Sequence, residues 1–160
     1  MIHKTNAARA LDKLKINYEI LEYEVDLNDL SAIHVAASTK QNIKQIYKTI
    51  VCECEPKNFV VACLQGDLEL DLKALAHACG AKRCELINLK DLEKITGYIR
   101  GGCSPLAMKK HFATFIDERA KEQEYVLVSA GVRGKQIKIV PNDLLKACKA
   151  SFANIARLAL

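Results

Sequence analysis

No segment of the sequence approaches the roughly 20 consecutive apolar residues that a helix needs to cross a bilayer. The first thirty residues also lack an apolar run followed by a small-residue cleavage site, which is the pattern of a secretory signal. Low-complexity stretches, internal repeats and linkers are absent too. We therefore expect a cytoplasmic protein without a membrane partner, in which residues 1–160 form a single domain.

The seven cysteines do not show the spacing of a secreted disulfide framework. An odd, scattered set is typical of free thiols in a reducing compartment, so we expect no disulfides. Cys52 and Cys54 should point to the same face of a strand, and Cys63 on the next strand can lie near them. Three converging thiolates would suit a metal, but small apolar residues packed in a core are the preferred interpretation.

Histidines in metal-binding spacing are also absent. The four histidines lie far apart, and none stands in an HExxH or CxxH pattern. No metal and no other cofactor is predicted. The net charge of +5 permits binding to a polyanion such as RNA, although charge of this size alone does not establish it.

Hydrophobic periodicity and turn residues predict helices and strands without a regular βαβ rhythm. The helices are expected at about 5–15, 31–39, 71–80 and 88–95, and from 141 onward. The strands are expected at about 18–25, 47–54, 58–64, 114–117, 125–129 and 136–140, with the second and third forming a hairpin. This order favours an α+β domain built on a mixed or antiparallel sheet.

Four features can carry chemistry, and the last three have a structural alternative. The glycine-rich loop 97–105 lets a ligand approach the backbone, since glycine has no Cβ. Cys103 in that loop has no neighbouring histidine to activate it, so a filler role is preferred over a nucleophile. Ser129 is either a ligand-binding group or a turn former. Lys48, at the start of an apolar strand, either reaches solvent or binds an anion in a cleft.

Taken together and in order, six segments resemble the YbaK and prolyl-tRNA synthetase editing-domain family. The resemblance covers nearly the whole chain, and it is the set rather than any single piece that is specific. The segments are Tyr47 to Ile50, Leu70 to Lys73, Gly80 to Arg83, Thr96 to Pro105, Ile116 with Asp117, and Val128 to Gly134.

The resemblance implies a fold, a substrate class and a site. The implied fold is a mixed, barrel-like β-sheet surrounded by helices. The YbaK/EbsC-type branch shares the two-glycine loop followed by Ser-Pro and removes cysteine from mischarged proline tRNA, with cysteinyl-tRNA(Cys) as a further substrate. Matching positions give Lys48 and Gly101 as catalytic, and Tyr23, Thr49, Gly102, Ser104 and Ser129 as substrate-binding. A pocket phenylalanine of some members has no clear match, and Leu30 or Ile33 stands there instead.

An aminoacyl ester is already activated, so positioning and oxyanion stabilisation suffice without a full triad. In the mechanism that the resemblance implies, the substrate's thiol attacks its own carbonyl and forms a thiolactone. The alternatives are a deacylase for another small amino acid such as alanine, which uses an ordered water, and a non-catalytic module that binds tRNA or a synthetase. The expected partners are aminoacylated tRNA and prolyl-tRNA synthetase.

Overall fold

The computed structural model describes residues 4–159, so His3 lies outside it. Its five α-helices are α1 (Asn6–Lys13), α2 (Ala32–Thr39), α3 (Leu72–Cys79), α4 (Leu92–Thr96) and α5 (Pro141–Cys148). Its ten strands are β1 (Glu19–Glu22), β2 (Tyr47–Glu55), β3 (Asn58–Gln65), β4 (Leu68–Leu70), β5 (Glu85–Leu86), β6 (Ala113–Asp117), β7 (Val126–Ser129), β8 (Lys135–Ile139), β9 (Ser151–Ala153) and β10 (Ala156–Leu158). No helix of this range is long and apolar enough to span a membrane.

The start of α1 and both ends of α3 fall within one residue of the predicted positions, because local capping groups fix them, whereas α4 begins four residues later than predicted. The hydroxyl of Thr5 accepts a hydrogen bond from the Ala8 amide at the start of α1. The carboxylate of Asp71 does the same for Ala74 at the start of α3. Gly80 ends that helix with a left-handed backbone, φ 75°, which glycine adopts without a side-chain clash.

The largest sheet has five strands in the order β5-β2-β3-β6-β9. The β2–β3 hairpin and the β2–β5 pair are antiparallel, whereas β3–β6 and β6–β9 are parallel. This confirms the predicted mixed sheet and the predicted hairpin. Two smaller antiparallel sheets have the orders β1-β8-β7 and β10-β4.

The strands of residues 4–159 do not form a closed barrel. The five-stranded and three-stranded sheets approach each other at the start of β2, where a single isolated parallel bridge joins Ile46 to Leu127. The structure therefore supports the α+β class and a mixed sheet, and the sheets meet beside the residues that the sequence singles out around Lys48.

The two faces of the β2–β3 hairpin lie against different cores, because successive side chains of a strand point to opposite faces. Tyr47 and Cys63 belong to a core that includes residues of α1 and α5. Cys52 and Ala62 belong to a second core that includes residues of α3. The interpretation in which Cys63 converges with Cys52 and Cys54 is therefore wrong, since Cys63 lies on the opposite face.

A disulfide joins Cys54 to Cys84, which corrects the expectation of free thiols only. The cause is strand pairing between distant segments. β5 runs antiparallel to β2 with Glu53 opposite Glu85, so the next residue on β2, Cys54, meets the residue before Glu85. The two-residue strand β5 carries no periodic signal, so its pairing partner cannot be predicted from its own sequence.

Candidate active site

A small cavity of about 130 Å³ opens where the five-stranded and the three-stranded sheets meet. Its lining includes Tyr23 just after β1, Lys48 and Thr49 from the start of β2, Gly101 from the glycine-rich loop, and Ser129 from the end of β7. Five of the seven predicted site residues thus converge from four separate segments. The space is far smaller than the roughly 300–1,000 Å³ of pockets for drug-sized ligands, so it suits a small group rather than a whole nucleotide.

Lys48 is half-buried, and its ammonium group is oriented by backbone carbonyls. Its Nζ donates to the carbonyl of Leu68 at 2.6 Å and to that of Gly66 at 3.1 Å. Burial lowers the pKa of Lys48, while the nearby carboxylates of Asp67 and Glu69 act in the opposite direction. An ammonium group has three N–H donors, so one remains for a ligand. The side chain is held in a cleft rather than extended freely into solvent.

The glycine-rich loop presents backbone to the cavity at Gly101. This residue has φ 83°, and a Cβ there would lie 3.3 Å from Leu30 Cδ2 and 3.4 Å from Arg133 Nε. Arg133 secures the loop from the other side by donating to the carbonyl of Arg100 at 2.8 Å. The absent side chain at Gly101 therefore leaves room beside these two groups.

Gly102 and Ser104 do not line the cavity. The Gly102 amide already donates to the carbonyl of Ile99 at 2.9 Å, so it is not free to bind an oxyanion in this conformation. Ser104 is fully buried, and its hydroxyl accepts a hydrogen bond from the Leu106 amide at 3.2 Å. Both placements favour support of the loop over direct contact with substrate.

Two lining residues extend the predicted set. Leu30 lines the cavity, whereas Ile33 is 63% exposed and does not line it. Gln136 lines the wall beside Ser129, because the two residues are directly paired across β7 and β8. The Gln136 Oε1 atom is buried without a hydrogen-bond partner among the described residues. Because buried polar groups are normally hydrogen-bonded, this oxygen favours binding of a ligand that carries an N–H or O–H donor.

Cys103 also lines the cavity, but its environment opposes a nucleophilic role. Burial raises the pKa of its thiol to about 11, so it is protonated near neutral pH. The cavity lining contains no histidine, aspartate or glutamate to serve as a base within residues 4–159.

We expect Cys103→Ser to keep kcat/KM within about threefold of wild type, whereas loss of a covalent nucleophile costs on the order of 10⁴-fold or more. Steady-state turnover of the cysteinyl-tRNA ester that the family resemblance implies, with circular dichroism to verify folding, measures this. A loss of several orders of magnitude in a folded variant would instead assign covalent catalysis to Cys103.

Comparisons with known proteins identify similar sequences over most of the chain. The sequence model described as "Aminoacyl-tRNA editing domain" matches residues 29–147. A protein of Enterococcus faecalis named "Putative Cys-tRNA(Pro)/Cys-tRNA(Cys) deacylase EbsC" is 45% identical over 152 residues, which are 95% of this chain and 93% of that protein. The "Multifunctional Ser/Thr-tRNA deacylase ProXp-y" of Escherichia coli is 24% identical over 116 residues, 70% of each chain.

A solved structure supports the same fold. It is described as a "putative trans-editing enzyme for prolyl tRNA synthetase" and superposes with a TM-score of 0.81. The superposition covers 93% of both chains at 20% sequence identity. At this identity the likeness concerns the fold alone.

Proposed function

Because the chain belongs to the aminoacyl-tRNA editing domain family, we propose that it is a deacylase that hydrolyses the ester linking cysteine to proline tRNA, and also to cysteine tRNA. The observation that carries this proposal is the chemistry of the cavity. It offers a lysine, a serine and glycine backbone, and the part of the chain that the structure describes adds no carboxylate or imidazole to its lining. Such a site suits an activated ester whose reacting groups need positioning more than they need a strong base.

The substrate supplies the nucleophile in this mechanism. Its thiol loses a proton, and the sulfur attacks the ester carbonyl carbon to give a tetrahedral oxyanion. This attack forms the S–C bond. Collapse of the oxyanion then restores the C=O bond, which leaves a thiolactone, and breaks the C–O bond to the ribose, whose oxygen takes up a proton. Water then opens the thiolactone to free cysteine, so neither a redox step nor a covalent bond to the protein is needed.

Gly101 and Lys48 have different roles in this mechanism. The Gly101 amide has no hydrogen-bond partner among the described residues, so it can donate to the developing oxyanion. The remaining Lys48 N–H binds the terminal adenosine or its phosphate, and Tyr23, Thr49 and Ser129 complete the walls around the aminoacyl group. Gly102 and Ser104 act through the shape of the loop.

Lys48→Met keeps the aliphatic stem of the side chain and removes its charge. We expect kcat/KM to fall about 10- to 100-fold, because a hydrogen bond to a charged group contributes roughly 1.5–3 kcal/mol. Lys73→Met is the matched control, because Lys73 is exposed on α3 and does not line the cavity. Wild-type turnover by folded Lys48→Met would remove Lys48 from the site.

The unpartnered Gln136 Oε1 is assigned to the α-ammonium of the aminoacyl group. At neutral pH most α-amino groups are protonated and can donate to a carbonyl oxygen. Gln136 and Ser129, which are paired across β7 and β8, would then hold the amino acid from one wall.

We expect Gln136→Leu to lower kcat/KM for cysteinyl-tRNA about 10-fold, since one hydrogen bond to a charged group is lost. A tRNA ester of 3-mercaptopropionate keeps the thiol but has no amino group, so the same variant should cleave it at nearly the wild-type rate. Equal losses on both esters would contradict this assignment and indicate a purely structural effect.

A deacylation panel tests the function as a whole. Cysteinyl, alanyl and seryl esters, each on proline tRNA and on its own tRNA, should show cleavage of both cysteinyl substrates and little of the others. Rapid hydrolysis of alanyl- or seryl-tRNA would favour the water-using alternative, a chemistry compatible with the name of the Escherichia coli relative. Tight tRNA binding without cleavage would favour a non-catalytic module.

The proposed function also bears on the architecture of the domain, the location of the protein and its partner. The family resemblance favours one domain over residues 1–160 and a barrel-like curvature of the sheets, which the bridge between Ile46 and Leu127 is compatible with. A substrate that consists of charged tRNA favours a cytoplasmic location. Prolyl-tRNA synthetase, which produces the mischarged tRNA, is the candidate protein partner.

A further inference from the structure

Three cysteine sulfurs lie together at the edge of the five-stranded sheet, separate from the residues that line the cavity. Cys79 Sγ is 3.8 Å from Cys54 Sγ and 3.8 Å from Cys84 Sγ, and all three sulfurs lie within 4.8 Å of one another. Zinc binds thiolates at about 2.3 Å in a tetrahedron, whose edge is then about 3.8 Å. Two of the three sulfur separations already have this length.

The local sequence explains how the three thiols meet. Cys54 lies near the end of β2, Cys79 is the last residue of α3, and Cys84 comes directly before β5. Four residues separate Cys79 from Cys84, within the two-to-four-residue spacing common between zinc-binding cysteines. The left-handed Gly80 turns the chain between them, so that both sulfurs reach the same side.

The electrostatic surroundings suit a cation held by thiolates. The carboxyl end of a helix carries partial negative charge, which attracts a cation next to Cys79. Lys82 and Arg83, both exposed in the intervening loop, offset the charge that three thiolates bring. Cys54 and Cys84 are each 5% exposed, but Cys79 is only half-buried, so water can reach a fourth ligand position on its side.

We propose that Cys54, Cys79 and Cys84 of the reduced protein bind one zinc ion, with water as the fourth ligand. The disulfide between Cys54 and Cys84 is the oxidised form, in which the ion cannot bind. Two electrons and two protons from a dithiol, which itself becomes a disulfide, convert it to two thiols. The three thiols then release three protons as they bind the ion. The bound ion would fix α3 and the loop after it to β2. This proposal departs from the sequence-based prediction that no metal is bound.

The test compares Cys79→Ala with Cys148→Ala in the full chain. Both variants lose one thiol, but Cys148 lies in the other core, and Cys79→Ala leaves Cys54 and Cys84 able to form their disulfide. Each reduced protein is titrated with zinc against a competing chromophoric chelator. Wild type and Cys148→Ala should bind one ion per chain. Cys79→Ala should lose more than about 100-fold in zinc affinity. Even substitution of a residue that only hydrogen-bonds to a metal ligand lowers metal affinity about 10- to 100-fold.

Cobalt provides an independent readout of the ligands. Reduced wild type titrated with Co²⁺ should show the near-ultraviolet charge-transfer absorption of metal–thiolate bonds, and oxidation to the disulfide should abolish it. Cys84→Ala repeats the test should Cys79→Ala fail to fold. Absence of stoichiometric zinc in the reduced wild type, or equal zinc affinity in Cys79→Ala, would overturn the proposal and leave a disulfide beside a free thiol.

Discussion

Cysteinyl-tRNA should be deacylated more than about 10³-fold faster than seryl-tRNA, beyond the roughly 200-fold that fit alone achieves for such small differences. The two side chains differ by one atom, and the described lining of the cavity offers Leu30 and Thr49 but no carboxylate or imidazole to separate them. A thiol of pKa about 8.5 supplies a few per cent of thiolate at neutral pH, whereas a serine hydroxyl supplies essentially none. Internal attack is therefore open to one substrate only.

The pH dependence of this reaction identifies which thiol reacts. Below the pKa of the substrate's α-ammonium, near 8, kcat/KM should rise about tenfold per pH unit, because the rate follows the thiolate fraction while the amino group stays charged. The pKa of Cys103 is about 11, so this enzyme thiol cannot produce an inflection near pH 8.5. Burial lowers the pKa of Lys48, so the loss of its charge should bring the rate down at a pH below the usual range for lysine.

The first product is the sharpest discriminator. The thiolactone, or its adduct with an added amine or thiol, should accumulate before free cysteine. Alanyl-tRNA serves as the matched substrate, since it has a side chain of similar size without any nucleophile. Equal rates for all three esters, with no thiolactone or trapped adduct before the free amino acid, would show that an ordered water attacks and that the substrate thiol is not required.

The parts of the fold that could be predicted are those fixed by neighbouring residues. Asp71 and Gly80 define both ends of α3 through contacts within one or two turns, and the β2–β3 hairpin follows from two β-branched runs joined by a short polar turn. The strands β4, β5, β9 and β10 have two or three residues each, too few for a periodic signal. They form only because distant segments supply their partners.

Some residues of the candidate site could be predicted from the sequence, and others could not. Lys48 and Gly101 are found through motif resemblance, but Gln136 is not, because a polar residue that alternates with Ile137 and Ile139 predicts an exposed face of the strand. Its burial depends on β8 being the central strand between β1 and β7. Likewise, the hydrogen bond from the Gly102 amide to the Ile99 carbonyl depends on the conformation of the folded loop, which the sequence alone does not predict.

Substitution of Gly101 by valine should abolish measurable turnover, with a loss of at least about 10³-fold, because misplacement of a reacting group by even about 1 Å costs roughly 100-fold and here the space itself is filled. The new Cβ would lie 3.3 Å from Leu30 Cδ2 and 3.4 Å from Arg133 Nε, and the branched methyl groups extend further into the same cavity. Raising the substrate concentration should not restore the rate, since the acyl group cannot reach the Gly101 amide.

Gly80→Val is the matched control for the effect of backbone strain on activity. If Gly80→Val keeps its activity, strain alone does not explain the loss of activity in Gly101→Val. Gly80 has φ 75° against 83° at Gly101, so valine at either position is strained by about 1–3 kcal/mol. A Cβ at Gly80, however, meets no atom of the other described residues within 4 Å, its two chain neighbours aside, and Gly80 does not line the cavity. Both variants should therefore unfold at lower urea concentrations than wild type, and only Gly101→Val should lose deacylation at saturating substrate. Retained activity in folded Gly101→Val would show that this loop is not the wall against which the ester reacts.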